Sequence, residues 1–168
     1  MALEIRPYRE EDLAGMIKVW NEVVEAGNAF PQIMPLSLDD AHTFFAEQAL
    51  TTVAVVDTKL FGLYILHPNN VGRCAHVANA SYAVVSSARG LGLGRELVKD
   101  SLEQAARLGF RGLQFNAVVA SNAGAIHLYE DLGFTRVGTI PQGFCGNMGG
   151  YEDMYIYYRD CVDTSRGC

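Results

Sequence analysis

In the middle of the chain an apolar strand pattern runs into Ser86-Ser87-Ala88-Arg89-Gly90-Leu91-Gly92-Leu93-Gly94-Arg95, and an amphipathic helical pattern begins at the last glycine. No other stretch constrains the fold as tightly. It commits the centre of the chain to a strand that feeds a helix through a turn nearly free of side chains. The first N–H groups of a helix lack partners and carry roughly half a positive charge, so a bare turn lets them meet an anionic group at contact distance.

The loop's omissions narrow the kind of anion. A dinucleotide turn needs G-x-G-x-x-G, but the third glycine position holds Arg95 after Gly90-x-Gly92 and Leu97 after Gly92-x-Gly94, so both frames fail. A Walker loop needs Gly-Lys followed by Ser or Thr, and here the glycines lead into Arg95-Glu96, which disfavours nucleotide hydrolysis. What remains is Arg-x-x-Gly-x-Gly at Arg89, Gly92 and Gly94. Taken alone, the loop also fits a turn that merely lets helix and strand pack closely.

With 168 residues, 49% hydrophobic and 19% charged, the chain suits one globular domain spanning 1–168. No uncharged apolar run approaches the ~18 residues of a membrane span. The first residues lack a signal-peptide core, so a cytoplasmic protein without a membrane partner is expected. The net charge of −6 is uneven: residues 1–50 hold nine acidic and three basic groups, residues 86–111 three acidic and five basic. Overall acidity argues against nucleic acid as a partner, while the local basic excess suits a small anion. Cys74, Cys145, Cys161 and Cys168 show no paired C-x-x-C spacing and no nearby His set. No metal site is expected, and the thiols read as reduced, with Cys168 exposed and oxidisable.

Along the chain, residues 3–6 read as a strand and Glu10-Glu11-Asp12 as the acidic opening of a helix carrying Leu13, Ile17, Trp20 and Val24 at helical spacing. A loop through Phe30 and Pro35 leads to a second helix, capped by Ser37 or Asp39 and anchored by Phe44, Phe45 and Leu50. Residues 52–56 and 61–66 flank Asp57-Thr58-Lys59 as a hairpin. After the break at His67-Pro68-Asn69-Asn70, a strand over 75–85 ends at the glycine turn. The next helix aligns Leu97, Val98, Leu102, Ala105, Ala106 and Leu108. Then come a strand over 113–119, a helix over 122–132, a strand over 134–140, a glycine-rich loop and a strand over 151–158. The order is that of one mixed α/β domain without repeats or linkers.

Two asparagines interrupt strands: Asn79 in the 75–85 strand and Asn116 in the 113–119 strand. A buried amide there costs a few kcal/mol unless paired, so each should find a partner or a ligand. Alternation puts Asn79 on one face with Ser81, and Asn116 with Gln114 and Val118.

The stretch Asn122-Ala123-Gly124-Ala125-Ile126-His127-Leu128-Tyr129-Glu130-Asp131-Leu132-Gly133-Phe134 resembles the N-x-x-A-x-x-L-Y-E-x-L-G-F helix of GNAT-type (GCN5-related) N-acetyltransferases. The Arg89, Gly92, Gly94 turn is similar to that family's acetyl-CoA motif, and the element order is the family's. The resemblance implies an α/β GNAT fold: one mixed central sheet of about seven strands, splayed into a V in the middle and flanked by about four helices. It implies acetyl-CoA as co-substrate. The amides of Gly90, Leu91, Gly92, Leu93, Gly94 and Arg95 would hold the pyrophosphate beside Arg89, and the backbone near Val84 and Val85 would pair with the pantetheine arm. Asn122 would cap its helix and touch that arm. Tyr129 would give a proton to the leaving thiolate, a role that suits a phenol because it keeps its proton at neutral pH. Residues 72–80, 89–95 and 115–122 more narrowly resemble the fungal acetyltransferases of proline analogues such as azetidine-2-carboxylate. That likeness implies a small amino or imino acid acceptor, with Asn79 near its carboxylate, Asn116 near the reacting carbonyl, and the loop at Phe30 as a lid. A homodimer is implied as well. No side chain stands out as the base; His76, Glu25, Glu152 and Asp153 are candidates. A coenzyme A-binding module with little turnover, and acetylation of a protein or peptide amine, are the alternative readings.

Overall fold

The computed structural model describes residues 2–161. Seven strands and four helices follow the expected order: β1 (Leu3–Pro7), α1 (Leu13–Ala26), α2 (Leu38–Ala46), β2 (Leu50–Val56), β3 (Lys59–Pro68), β4 (Val77–Val84), α3 (Leu93–Arg107), β5 (Gly112–Val119), α4 (Ala123–Asp131), β6 (Thr135–Cys145) and β7 (Tyr151–Asp160). The strands form one sheet in the order β1-β2-β3-β4-β5-β7-β6. Neighbours are antiparallel except β4 and β5, which run parallel.

Strand alternation divides the apolar residues between two cores. Val53, Val55, Leu63, Ile65 and Ala83 face α1 and α2, where Trp20 packs among Phe30, Phe44 and Phe45. Ala54, Tyr64, Leu66, Ala78 and Ala80 face α3 and α4, with Leu97, Val98, Phe115 and Tyr157. This sidedness places the helices: α1 and α2 lie on one face of the sheet, α3 and α4 on the other.

Local chemistry sets the element ends. The α1 helix stops at Gly27, whose φ of 63° is left-handed and costs glycine little. Ser37, not Asp39, caps α2, its Oγ accepting the Asp40 amide at 3.2 Å. Leu50 does not anchor that helix but opens β2, opposite Leu66. The β2–β3 turn is Asp57-Thr58 alone, at φ 46° and 69°, as a two-residue primed turn requires; Lys59 already pairs with Val56.

On α3, Leu108 lies past the helix end and is 50% exposed, whereas Ser101 is fully buried. Its hydroxyl explains why burial is tolerated, donating to Val98 O at 2.7 Å and meeting the Tyr82 hydroxyl at 2.7 Å. The β6 strand runs on to Cys145, beyond the expected end at residue 140 and through Gly143.

Candidate active site

The loop after β4 makes one tight turn at Ser86–Ala88, extends through Arg89, and takes left-handed φ values of 80° at Gly90 and 79° at Gly92. The first helical bond of α3 runs from Glu96 N to Gly92 O at 3.3 Å. The amides of Gly90, Gly92, Leu93, Gly94 and Arg95 have no hydrogen-bond partner among the described residues, whereas Leu91 N donates to Ala88 O at 3.4 Å. A Cβ on Gly90 or Gly92 would meet nothing within 4 Å. The space before these amides is open, and glycine is required there by the backbone conformation. Gly94 differs: a Cβ there would lie 3.7 Å from Leu128 Cδ2 of α4. Such a set of free amides at a helix start fits a diphosphate.

The two arginines of the loop have separate fates. The Arg95 guanidinium pairs with Asp131 at the end of α4 and holds that carboxyl below its usual range. It ties α3 to α4, while its backbone amide stays unpartnered among the described residues. Arg89 is exposed and makes no ion pair among the described residues. Beneath the loop, Glu22 of α1 accepts the Ser86 amide at 2.7 Å. Hydrogen bonding from Ser86, with the nearby charge of Arg89, lowers the Glu22 pKa.

The V lies between β4 and β5. They pair only where Val77, Ala78 and Asn79 meet Gly112, Leu113 and Gln114; residues 80–84 and 115–119 then diverge. Val85 N donates to Phe61 O at 2.9 Å, and the Val85 carbonyl accepts the Ala88 amide at 3.0 Å. Since bonding direction alternates along a strand, Ala80, Tyr82 and Val84 turn their backbone groups into the gap. Val84 therefore stands where an extended arm could pair. Val85 does not, because β3 takes its amide.

Tyr129 borders the gap from the α4 side. Asn122 caps α4, its Oδ1 accepting Ala125 N at 3.3 Å, and aims the helix at the gap. The Tyr129 ring packs against Phe115 at 4.4 Å between centroids and against Phe134 at 5.7 Å. Around it, Tyr64 donates to Asp100 Oδ2 at 2.6 Å, Tyr157 donates to Glu130 Oε1 at 2.8 Å, and Tyr82 pairs with Ser101. The Tyr129 hydroxyl alone of these four has no partner among the described residues. Burial raises its pKa above the ordinary phenol value, so it keeps its proton and can donate it.

The opposite face of the gap carries side-chain amides. Asn116 is exposed and Asn79 only partly buried, so the expected cost of a fully buried amide does not apply. They are instead joined by Asn69, which follows β3: its Oδ1 accepts Asn79 Nδ2 at 3.1 Å and Asn116 Nδ2 at 2.6 Å. Gln114 Nε2 donates to Asn116 Oδ1 at 2.8 Å. Val118 does not share their face. A bulge between Phe115 and Val118 adds a residue and returns Val118 to the core that holds Phe115.

Asn69 was missed in the sequence because it sits in a strand break. The only local sign is that the break is brief, so that Asn69 N returns to Val77 O at 2.8 Å.

Phe30, expected over the acceptor, is 8% exposed and packs at a tilt against Trp20 with centroids 4.5 Å apart. The loop between β6 and β7 closes that side, with Asn147 Nδ2 donating to Glu25 O at 2.9 Å. Gly27 permits this approach, since a Cβ there would fall 2.0 Å from the Asn147 side chain. None of His76, Glu25, Glu152 or Asp153 has a side chain hydrogen-bonded to Tyr129 or to the amides; Asp153 Oδ1 accepts Gln142 N at 3.0 Å. Burial pushes the Cys161 thiol up to about 11, and Cys168 lies outside the described residues. Among those residues no cluster of three or more His, Cys, Asp or Glu could hold a metal ion, and no helix is long and apolar enough to cross a membrane.

Known proteins share the sequence pattern and the fold. The sequence model of the acetyltransferase (GNAT) family matches residues 9–134. The N-acetyltransferase aca1 of Schizosaccharomyces pombe is 32% identical over 167 residues, covering 89% of this chain and 80% of that protein. A GCN5-related N-acetyltransferase from Kribbella flavida superposes with a TM-score of 0.88 at 36% identity, covering 95% of this chain and 98% of its own. The fold of yncA from Salmonella typhimurium, solved with its cofactor acetyl-CoA, superposes with a TM-score of 0.89 at 20% identity, covering 100% of this chain and 99% of its own.

Proposed function

The chain belongs to the GNAT acetyltransferase family, an acetyl-CoA-dependent acyltransferase, and on that premise we propose that it acetylates the amine of a small amino or imino acid by direct attack. The observation that carries this reading is the unpartnered Tyr129 hydroxyl on one side of the β4–β5 gap with the amides of Asn79 and Asn116 on the other. Acetyl-CoA supplies the activated acetyl group.

The residues divide the work. The free amides of Gly90, Gly92, Leu93, Gly94 and Arg95, with Arg89, hold the diphosphate, and Leu91 shapes the turn. The backbone of Val84 holds the extended arm in the gap, with the Asn122 side chain beside it. On the other face Asn79 and Asn116 orient the acceptor, and Phe30 buttresses the wall above them through Trp20. The amine nitrogen attacks the thioester carbon, the carbon–sulfur bond breaks, and Tyr129 gives its proton to the departing sulfur. The amine's surplus proton leaves to water, and solvent returns a proton to Tyr129.

A cytosolic location and a homodimer belong to the same reading. The dimer is supported by the outermost strand, β6, where Val137 and Ile140 are exposed along an open edge. The deciding experiment incubates the protein with acetyl-CoA and a panel of amino acids, azetidine-2-carboxylate and polyamines, following free thiol. Thiol release with an amino or imino acid is the expected result; release with polyamines alone would remove the acceptor reading. Acetyl-CoA bound without thiol release for any amine would favour a binding module.

A further inference from the structure

We propose that Asn69 is the positioning residue of the acceptor face, and that it makes this face an uncharged, N–H-rich surface selecting an acceptor that carries a carboxylate. The inference rests on the acceptor reading above, but its geometry is independent of it. Among the described residues, Asn69 alone makes a direct hydrogen bond to both asparagines that flank the gap, one from β4 and one from β5. These strands pair no further than Asn79 and Gln114, so beyond that last pair the ladder no longer holds Asn116 to β4. There the two side chains are joined through one carbonyl oxygen, Asn69 Oδ1.

That oxygen also decides which way each amide points. A side-chain carbonyl has two acceptor sites, and both on Asn69 Oδ1 are taken by Nδ2 groups. Turning Asn69 over would set an NH₂ against two others, and turning Asn116 over would lose two bonds, because its Oδ1 accepts Gln114 Nε2. The orientations therefore enforce one another. Asn69 is itself held by its chain: its amide bonds Val77 O at 2.8 Å, and the next residue, Asn70, accepts Val71 N at 2.7 Å.

What remains for a ligand follows by subtraction. Both hydrogens of Asn69 Nδ2, and the second hydrogen on Asn79 Nδ2, Asn116 Nδ2 and Gln114 Nε2, are unspent. Asn79 Oδ1 is an open acceptor at the gap, placed for an amine N–H. Among the described residues no carboxylate hydrogen-bonds to the cluster, so nothing in it balances a second ammonium. A carboxylate beside the reacting amine finds donors here; a polyamine finds none of the charge it needs.

The test uses the full chain with Asn69→Asp and Asn69→Ala, and L-azetidine-2-carboxylate and spermidine as probe acceptors. Asp keeps an oxygen for both asparagines but replaces the outward NH₂ with negative charge. For Asn69→Asp we expect the KM of azetidine-2-carboxylate to rise about tenfold or more, as for one lost charge-assisted contact opposed by a like charge. Its kcat should change by less than about threefold, acetyl-CoA affinity should hold, and the preference should shift toward spermidine. For Asn69→Ala, KM should rise and kcat fall, since both amides are released. Wild-type kinetics in Asn69→Asp would overturn the proposal by leaving Asn69 a purely structural bond. If the unaltered protein acetylates neither probe, the acceptor reading is what fails. Asn69 is then judged by the side-chain NH₂ resonances of Asn79 and Asn116, and signals that Asn69→Ala leaves unmoved would overturn its positioning role.

Discussion

On the proposed reading, the two ends of the gap recognise their ligands by different means. The glycine turn offers backbone amides from one continuous segment, held by helix geometry and the left-handed glycines Gly90 and Gly92. The acceptor face offers side-chain amides from three segments, held by one another through Asn69. Backbone recognition tolerates side-chain change outside its glycines and suits a co-substrate that does not vary. Side-chain recognition can be retuned by one substitution, which suits a face that must choose among amines.

The sharpest way to separate the two ends is to remove the group between them. Tyr129→Phe should lower turnover by about 10²-fold or more, with acetyl-CoA affinity and acceptor KM nearly unchanged in steady-state kinetics and calorimetry. Because burial raises this phenol's pKa, turnover of the unaltered enzyme should show no alkaline loss from Tyr129 until above its ordinary value near 10. Equal turnover in the Phe variant would remove Tyr129 as the acid.

Gly92→Val strikes the backbone end. With φ at 79° a branched residue is strained, and its side chain enters the space before the free amides. Acetyl-CoA Kd should rise at least about tenfold by calorimetry, and a KM change confined to the acceptor would contradict the division. Asn116→Ala strikes the other end and should raise acceptor KM by about five- to tenfold while coenzyme affinity stays put. A loss seen only in thermal stability would make the amides structural.

The smallest effect tests the tie between α1 and the loop. The Glu22 pKa is lowered in the folded state. Its stabilising share is therefore present above the unfolded carboxylate value of about 4.3 and lost as pH falls through the folded value. Glu22 is partly exposed, so the change is small. Thermal unfolding of Glu22→Gln should run slightly below the unaltered chain at neutral pH and converge with it in acid; a constant offset at every pH would break the assignment.

The glycine turn and the α4 helix were legible in the sequence because everything they need lies within a few residues: left-handed glycines, a cap at Asn122, a helical stripe ending in Tyr129. The errors fall where distant strands meet. Val118 was expected beside Asn116 until a bulge against β7 shifted the alternation, and Val85 was expected to face the arm until Phe61 of β3 took its amide. Asn79 and Asn116 drew notice as polar residues in apolar strands, and both have the expected partner in Asn69, although Asn116 is exposed and Asn79 only partly buried. Leu108 failed for a simpler cause, lying just past the end of its helix.

By itself the sequence determined the order of elements, the glycine turn and the helix that carries Tyr129, because capping, glycine conformation and periodicity act through neighbours in the chain. Only the tertiary structure decided that β4 and β5 part after three residue pairs, that Tyr129 is the unspent phenol of the set Tyr64, Tyr82, Tyr129 and Tyr157, and that Asn69 joins the two asparagines. Register, splay and the sharing of hydrogen bonds depend on which distant strands lie side by side, and that follows from packing two cores against one sheet.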